Sequence, residues 1–140
     1  YDIGGERLLE IRGTFYGGCA LQDEYAGTLA RVYEEYGYLC DPHTAVAFNV
    51  AEQYAADVDS DAPMVVVGTA SPVKFASTVL EAIGETVPAD DAAALRKMEE
   101  VTAVPVPEAV YALDKAEERF DKAVNVDEVN KCILDFAHRL

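Results

Sequence analysis

Apolar residues spaced three and four positions apart mark the clearest element in the first half of this 140-residue chain. One helical face would hold the side chains of Leu21, Tyr25, Leu29, Val32 and Tyr36. This spacing predicts a helix over residues 22–36. Acidic residues at 23 and 24 suit its first turn, where the helix dipole is positive. The glycine at 37 suits a left-handed C-cap.

A second helix is predicted from residue 42 to about residue 55. Asp41 is a favourable N-cap, and Pro42 fits the first helical position because the N–H of that position has no intrahelical partner. The residues that follow are small and apolar on more than one side, so we expect the helix to be buried. Before these two helices, residues 1–21 are rich in glycine, and Leu8–Arg12 could form a short strand.

An unbroken apolar run, Met64–Val67, predicts one buried strand over about residues 64–69. The strand would lead through a tight loop into a helix over residues 73–83. The order helix, helix, strand, helix indicates an α/β fold. Since one strand makes no sheet, its partners would lie in residues 1–21 or in sequence outside this chain. Beyond residue 87, further helices are predicted over residues 90–99, 107–124 and 126–140, which together form a helical tail.

Charge narrows the classes of partner. The chain has 11 basic and 26 acidic residues, and its formal net charge is −15. This balance argues against nucleic acid and against anionic membrane surfaces, because both require basic residues. There is no apolar run long enough to span a bilayer and no visible signal peptide. A start at Tyr1 suggests a processed, truncated or engineered piece.

The three cysteines carry no recognisable metal or redox motif. Cys19, Cys40 and Cys132 are widely spaced and odd in number, with neither a C-x-x-C pair nor zinc-like spacing. This pattern favours a reducing, cytoplasmic compartment in which the thiols are buried or partly buried. We therefore predict no metal site.

The loop Gly68–Pro72 is the best candidate for chemistry. A loop between a strand and a helix exposes backbone N–H groups and fixes the directions of its hydroxyls, so it could hold a phosphate, a ring nitrogen or a carboxylate. Ordinary turn chemistry explains the same residues, with Gly68 in the turn, Ser71 as an N-cap and Pro72 in the first helical position. Spacing alone leaves both interpretations open.

Two longer blocks resemble a known enzyme family. Residues 68–75 read Gly-Thr-Ala-Ser-Pro-Val-Lys-Phe and are followed by Val-Leu-Glu-Ala-Ile-Gly-Glu-Thr at 79–86. This resembles a block near the C-terminus of threonine synthases, where Thr-Ala-His-Pro-Ala-Lys-Phe is common. Residues 33–47, with Gly-Tyr-Leu-Cys-Asp-Pro-His-Thr-Ala at their centre, resemble a second block of that family at matching spacing. Ser71 stands where histidine is usual, so no imidazole role carries over to that position.

The resemblance implies a fold-type II pyridoxal-phosphate (PLP) enzyme that converts O-phospho-L-homoserine and water to L-threonine and phosphate. Residues 1–88 would be the C-terminal part of its PLP-binding α/β domain, and residues 89–140 a helical tail. The family's Schiff-base lysine and Gly-rich phosphate loop have no counterpart before Lys74, so we expect this chain alone to be inactive. Its partners would be the substrate and the remainder of the same enzyme chain. Alone, the piece would expose apolar surface and could self-associate.

The same resemblance implies roles for individual residues. Thr69 and Ala70 would contact the cofactor, with the Thr69 hydroxyl facing the pyridine nitrogen. Lys74, Ser71 and His43 are candidates for the substrate and its phosphate. Each has a structural alternative: a hydroxyl of Thr69 bonded to nearby backbone, a solvated or ion-paired Lys74, and a His43 that satisfies Asp41 or nearby backbone.

Two other functions remain open from the sequence. The chain could belong to a different amino-acid enzyme of the same cofactor fold. Alternatively, it could be an acidic α/β interaction module without chemistry of its own.

Overall fold

The computed structural model describes residues 2–58, 61–118 and 123–138. Within these ranges the chain forms seven α-helices and two short 3-10 turns, and it has no β-strand. The helices are α1 (Gly5–Arg12), α2 (Gln22–Tyr36), α3 (Pro42–Asp57), α4 (Ala76–Ala82), α5 (Asp91–Thr102), α6 (Glu108–Leu113) and α7 (Val129–Ala137). The 3-10 turns are Pro72–Phe75 and Val126–Glu128.

The chain divides into two compact units, one up to Glu108 and one from Ala109 onward. In the first unit α2 packs against α3 and α4, and α4 packs against α5. The largest apolar side chains of the core are at most 1% exposed: Leu29, Val32, Val79, Leu80 and Met98. In the second unit the turn Val126–Glu128 leads directly into α7, and no described side chain of that unit is buried.

Local sequence signals set the ends of the central helices, as predicted for Asp41 and Gly37. Asp41 caps α3 by accepting a hydrogen bond of 2.9 Å from the backbone N–H of His43. Gly37 ends α2 in the left-handed region at a φ of 65°, which glycine adopts without steric cost. Asp90 caps α5 through a 2.8 Å bond from the N–H of Ala93. The predicted helices over 22–36 and from 42 onward are confirmed, and α3 continues to Asp57.

The predicted α/β fold with a buried strand at 64–69 is wrong. The segment runs through the described residues without strand pairing, and its apolar side chains face outward: Val65 is 80% exposed, Val67 69% and Met64 50%. A strand needs a neighbouring backbone to pair with its N–H and C=O groups, and no described part of the chain supplies one. The apolar run Met64–Val67 therefore predicted a buried strand, but most of its side chains are exposed in the described chain.

Smaller differences concern helix starts and the tail. Leu8–Arg12 lies in α1 rather than in a strand, and the helix predicted from residue 73 begins with the turn Pro72–Phe75. The helix predicted over 107–124 is helical only in α6, and residues 119–122 of that range lie outside the described residues. No helix in the described part of the chain is both long and apolar enough to cross a bilayer.

Candidate functional site

The start of α3 and the segment Gly68–Phe75 come together, although they lie about thirty residues apart in the sequence. The rings of His43 and Phe75 are 5.0 Å apart between centroids and tilted by 60°. A Cβ placed on Gly68 would lie 3.6 Å from the Thr44 hydroxyl oxygen and 3.5 Å from that of Tyr38. The backbone of Gly68 therefore rests against the second block, and the two motifs form one surface.

Asp41 joins the side chains at the start of α3. Its carboxylate is buried and accepts hydrogen bonds from the backbone N–H of His43, from His43 Nδ1 at 3.0 Å and from the Thr44 hydroxyl. Burial by itself would raise the pKa of Asp41, but the hydrogen bonds from Thr44 and His43 outweigh burial and lower the pKa below its usual value. The carboxylate is therefore ionised at neutral pH.

The imidazole of His43 extends from the buried carboxylate of Asp41 to the surface. Its side chain is 65% exposed, whereas that of Asp41 is fully buried. An ionised carboxylate can only accept, so in the neutral imidazole the shared proton sits on Nδ1 and Nε2 keeps a lone pair. The alternative that His43 satisfies Asp41 is confirmed, and the bond leaves Nε2 available for a ligand.

Thr69 and Ser71 differ in how their hydroxyls are engaged. Ser71 Oγ accepts a hydrogen bond of 3.3 Å from the N–H of Val73 and caps the turn Pro72–Phe75, as its place before a proline predicts. Thr69 is exposed, and its hydroxyl has no hydrogen-bond partner among residues 2–58, 61–118 and 123–138. Ala70, next to it, is half-buried. The nearby-backbone alternative for Thr69 is therefore not what the structure shows.

Lys74 projects from the same turn. Its ammonium group lies 5.7 Å from the centroid of the Phe75 ring, within the range of a cation–π contact. Within the described part of the chain no carboxylate lies within 4.0 Å of it. Phe75 thus contacts both the imidazole of His43 and the ammonium of Lys74, which places a hydrogen-bond acceptor and a cation at one aromatic ring.

Cys40, which directly precedes Asp41, belongs to the interior beneath this surface. Its thiol is only 1% exposed, and burial raises its pKa to about 11, with the neighbouring charge of Asp41 acting in the same direction. At neutral pH the group stays a thiol and packs as a small apolar side chain.

Two members of the site are not among the predicted site residues. The sequence assigns Asp41 to a helix cap and, as one alternative, to a bond with His43, and it assigns Phe75 only to a motif. A signal for Asp41 was present, because His and Thr two and three positions after an N-cap aspartate are both within reach of its carboxylate. Nothing local could have indicated the contact between His43 and Phe75.

The comparisons with known proteins agree with the resemblance, and the family model covers the block at 68–86 and the last residues of the block at 33–47. Residues 44–133 match the family model described as threonine synthase, C-terminal. The chain is 42% identical over 71 residues to a threonine synthase of Corynebacterium glutamicum, an alignment that covers 51% of this chain and 14% of that protein. It is 35% identical over 107 residues to a threonine synthase of Pseudomonas aeruginosa, covering 74% of this chain and 22% of that protein. A mouse protein, threonine synthase-like 1, is 28% identical over 123 residues, covering 86% and 16%.

The chain spans only 14% to 22% of the length of these relatives, and its match is to the C-terminal family model. The surface around Phe75 is therefore a feature of the C-terminal part of a class of longer proteins. The chain belongs to the threonine synthase family and corresponds to its C-terminal portion. The resemblance inferred from the residues is confirmed.

Proposed function

We propose that this chain is the C-terminal portion of an enzyme that converts O-phospho-L-homoserine and water to L-threonine and phosphate with the help of PLP. The observation that carries the proposal is that the two blocks that resemble the family, at 33–47 and 68–86, meet through His43 and Phe75, and that the second of them lies within the family match. A lyase of this type removes phosphate from carbon, so its site needs a cation for the leaving group. Lys74 is an exposed cation at the meeting point.

The described residues fit one wall of a PLP site. The exposed hydroxyl of Thr69, which has no partner among the residues that the structure describes, can pair with an unprotonated pyridine nitrogen, whereas a carboxylate there would keep the nitrogen protonated. Thr69, with Ala70 beside it, would hold this edge of the ring. When bound, PLP supplies an electron sink for carbanionic charge. The lysine that holds it covalently would come from the part of the enzyme outside this chain, and we therefore expect this chain alone to be inactive.

The groups around Phe75 would bind the phosphate of the substrate. Lys74 offers an ammonium group, and the Ser71 hydroxyl can still donate its own hydrogen because only its oxygen is engaged by Val73. His43 would contact the substrate or its water, because its outer ring nitrogen accepts a hydrogen bond and cannot donate one to the phosphate. Lys74 and Ser71 would hold the dianion by charge-assisted hydrogen bonds, which are stronger than neutral ones.

An open apolar groove in the first unit would be covered by the remainder of the enzyme. It has a volume of about 440 Å³ and is lined by Tyr16, Val50, Tyr54, Met64, Val65 and Val67. The occupant we propose is the part of the enzyme that precedes this portion, because the relatives are four to seven times longer than the segment matched here. The alternative occupant is a second copy of this chain, and sedimentation of the isolated chain distinguishes the two. Self-association would indicate that a second copy covers the groove, whereas a monomer agrees with the remainder of the enzyme as the occupant.

Two further proposals concern organisation and compartment. We propose that residues 1–88 contribute to the PLP-binding domain and residues 89–140 form the tail. The free cysteines Cys19, Cys40 and Cys132 favour the cytoplasm, where thiols stay reduced.

The decisive experiment measures phosphate release from O-phospho-L-homoserine by the full-length protein loaded with PLP. Release matched by formation of threonine supports the proposal. A folded protein that binds PLP and releases no phosphate would indicate another amino-acid enzyme of this cofactor fold. A protein that does not bind PLP would indicate an interaction module.

A further inference from the structure

Asp41 contacts both halves of the candidate site from beneath the start of α3. Its carboxylate accepts a hydrogen bond from Thr44, and Thr44 packs against Gly68, the residue directly before Thr69. Through His43 it reaches Phe75 and the neighbourhood of Lys74. One buried carboxylate therefore connects the proposed cofactor wall and the proposed phosphate site.

We propose that Asp41 is a positioning residue of the reaction: it holds His43 with the proton on Nδ1 and thereby presents Nε2 as a hydrogen-bond acceptor to the water that the reaction consumes. This inference rests on the proposed function. A carboxylate that bonds the inner nitrogen of an imidazole fixes both the tautomer and the orientation of the ring, as the aspartate of a serine-protease triad does. The geometry here has the same elements, a Nδ1–Oδ1 distance of 3.0 Å and an outer nitrogen on an exposed ring.

Helix capping alone does not account for this carboxylate. Asp90 caps α5 with a single backbone bond, lies 3.8 Å from the guanidinium of Arg96 and keeps a side chain that is 67% exposed. Asp41 caps α3 but is fully buried and also binds two side chains. Burying a charge is costly, and asparagine or serine would cap a helix about equally well without that cost. The charge is explained by the imidazole that it orients.

The outer nitrogen of His43 lies in a suitable place for water. Phe75 contacts the imidazole of His43 and the ammonium of Lys74, so an acceptor and a cation flank the same ring. In the proposed reaction the bond between carbon and the phosphate oxygen breaks, and the oxygen of water forms the new carbon–oxygen bond of the threonine hydroxyl. That hydroxyl keeps one proton of the water, and the overall balance closes with phosphate released as hydrogen phosphate. A lone pair on Nε2 can accept one O–H of that water and orient its oxygen, while the cation at Lys74 faces the phosphate.

The test uses the full-length enzyme with PLP, labelled with ¹⁵N-histidine, as wild type and as Asp41→Asn. We expect the His43 signals, identified by their loss in His43→Asn, to show the proton on Nδ1 in the wild type. In Asp41→Asn the amide can donate to Nδ1, so we expect that state to be lost and kcat to fall about 100-fold with a smaller change in KM. The matched control is Asp90→Asn, the same change at another helix cap, for which we expect the tautomer and kcat of the wild type.

Three outcomes overturn the inference: a wild-type His43 with its proton on Nε2, an Asp41→Asn enzyme that keeps the wild-type kcat, or equal losses in Asp41→Asn and Asp90→Asn. If Asp41→Asn does not fold, His43→Asn decides, because its amide can keep the bond to Asp41 but removes Nε2 at an exposed position. An unchanged kcat in that variant overturns the inference as well.

Failure of the proposed function and failure of the positioning role give different results. A wild-type enzyme that releases no phosphate overturns the proposed function and the role of Asp41 with it. An active wild type with an equally active Asp41→Asn variant removes only the positioning role.

Discussion

The hydroxyl of Tyr16 donates a hydrogen bond of 2.7 Å to the carboxylate of Asp57, which ends α3. This bond to Asp57 raises the pKa of Tyr16, because the carboxylate accepts only from the neutral phenol. The Tyr16 ring also packs edge-on against Tyr54 at 5.3 Å, and Gln53 Nε2 donates to the carbonyl of Cys19 at 2.7 Å. These contacts pack the segment between α1 and α2, residues 13–21, against the last turns of α3.

The first prediction concerns the glycine in the middle of that segment. A Cβ on Gly18 would lie 2.8 Å from Gln53 Oε1 and 2.9 Å from Val50 Cγ1, closer than real Cβ contacts allow. We expect Gly18→Ala to lower the free energy of unfolding by about 1 kcal/mol, measured by urea denaturation. Gly17→Ala is the matched control, because nothing lies within 4 Å of a Cβ there. Equal stability of the two variants would contradict the packing described.

The second prediction concerns acid stability. The pKa of Asp41 is lowered in the folded chain, so its contribution to stability is present above the unfolded value of about 3.9 and is lost as the pH falls through the folded value. We expect Asp41→Asn to be less stable than the wild type by about 2 kcal/mol at pH 7. The gap should narrow as the pH falls below about 4. Urea midpoints across this range measure it, and a gap that is constant with pH would count against an ionised, hydrogen-bonded Asp41.

The third prediction concerns thiol reactivity. Cys19 is exposed, whereas Cys40 is buried with a pKa raised to about 11. Because the thiolate is the reactive form, we expect iodoacetamide at pH 8 to modify Cys40 at least about 100-fold more slowly than Cys19. Peptide mass spectrometry over a time course measures both rates in one sample. After denaturation the two rates should converge, and similar rates in the folded chain would show that Cys40 is not buried.

The fourth prediction tests the cofactor wall in the full-length enzyme. Removal of the Thr69 hydroxyl in Thr69→Val should shift the absorption spectrum of bound PLP and lower kcat about 10-fold, the equivalent of one lost hydrogen bond. Thr69→Ser keeps a hydroxyl and should stay close to the wild type in both measurements. A Thr69→Val enzyme with the wild-type spectrum and turnover would remove Thr69 from the site.

The fifth prediction tests the anion site. Lys74→Ala should weaken binding of inorganic phosphate to the PLP-loaded enzyme about 10-fold, because a charge-assisted contact is lost. Lys115→Ala removes an exposed lysine of the second unit and serves as the control for net charge. Titration calorimetry measures both affinities. Equal weakening in the two variants would indicate that only the overall charge matters.

How much was predictable depends on the range of the interactions involved. The periodic apolar face of α2, the Asp41–Pro42 start of α3 and the capping role of Ser71 follow from contacts between near neighbours, and the structure shows each of them. The family was evident from the identities of the residues in the two blocks. By contrast, Met64–Val67 has the composition of a buried strand but is exposed, because burial requires a partner that the described chain does not supply.

The sequence by itself therefore determined the central helices, their caps and the family, since each depends on residues close together in the chain or on their identity alone. Only the tertiary structure decided that His43 meets Phe75, that Gly68 rests on Thr44 and Tyr38, and that Asp41 is a buried connection between them. These contacts join residues about thirty positions apart. They arise from the packing of α2, α3 and α4 around a shared core, which no local pattern encodes.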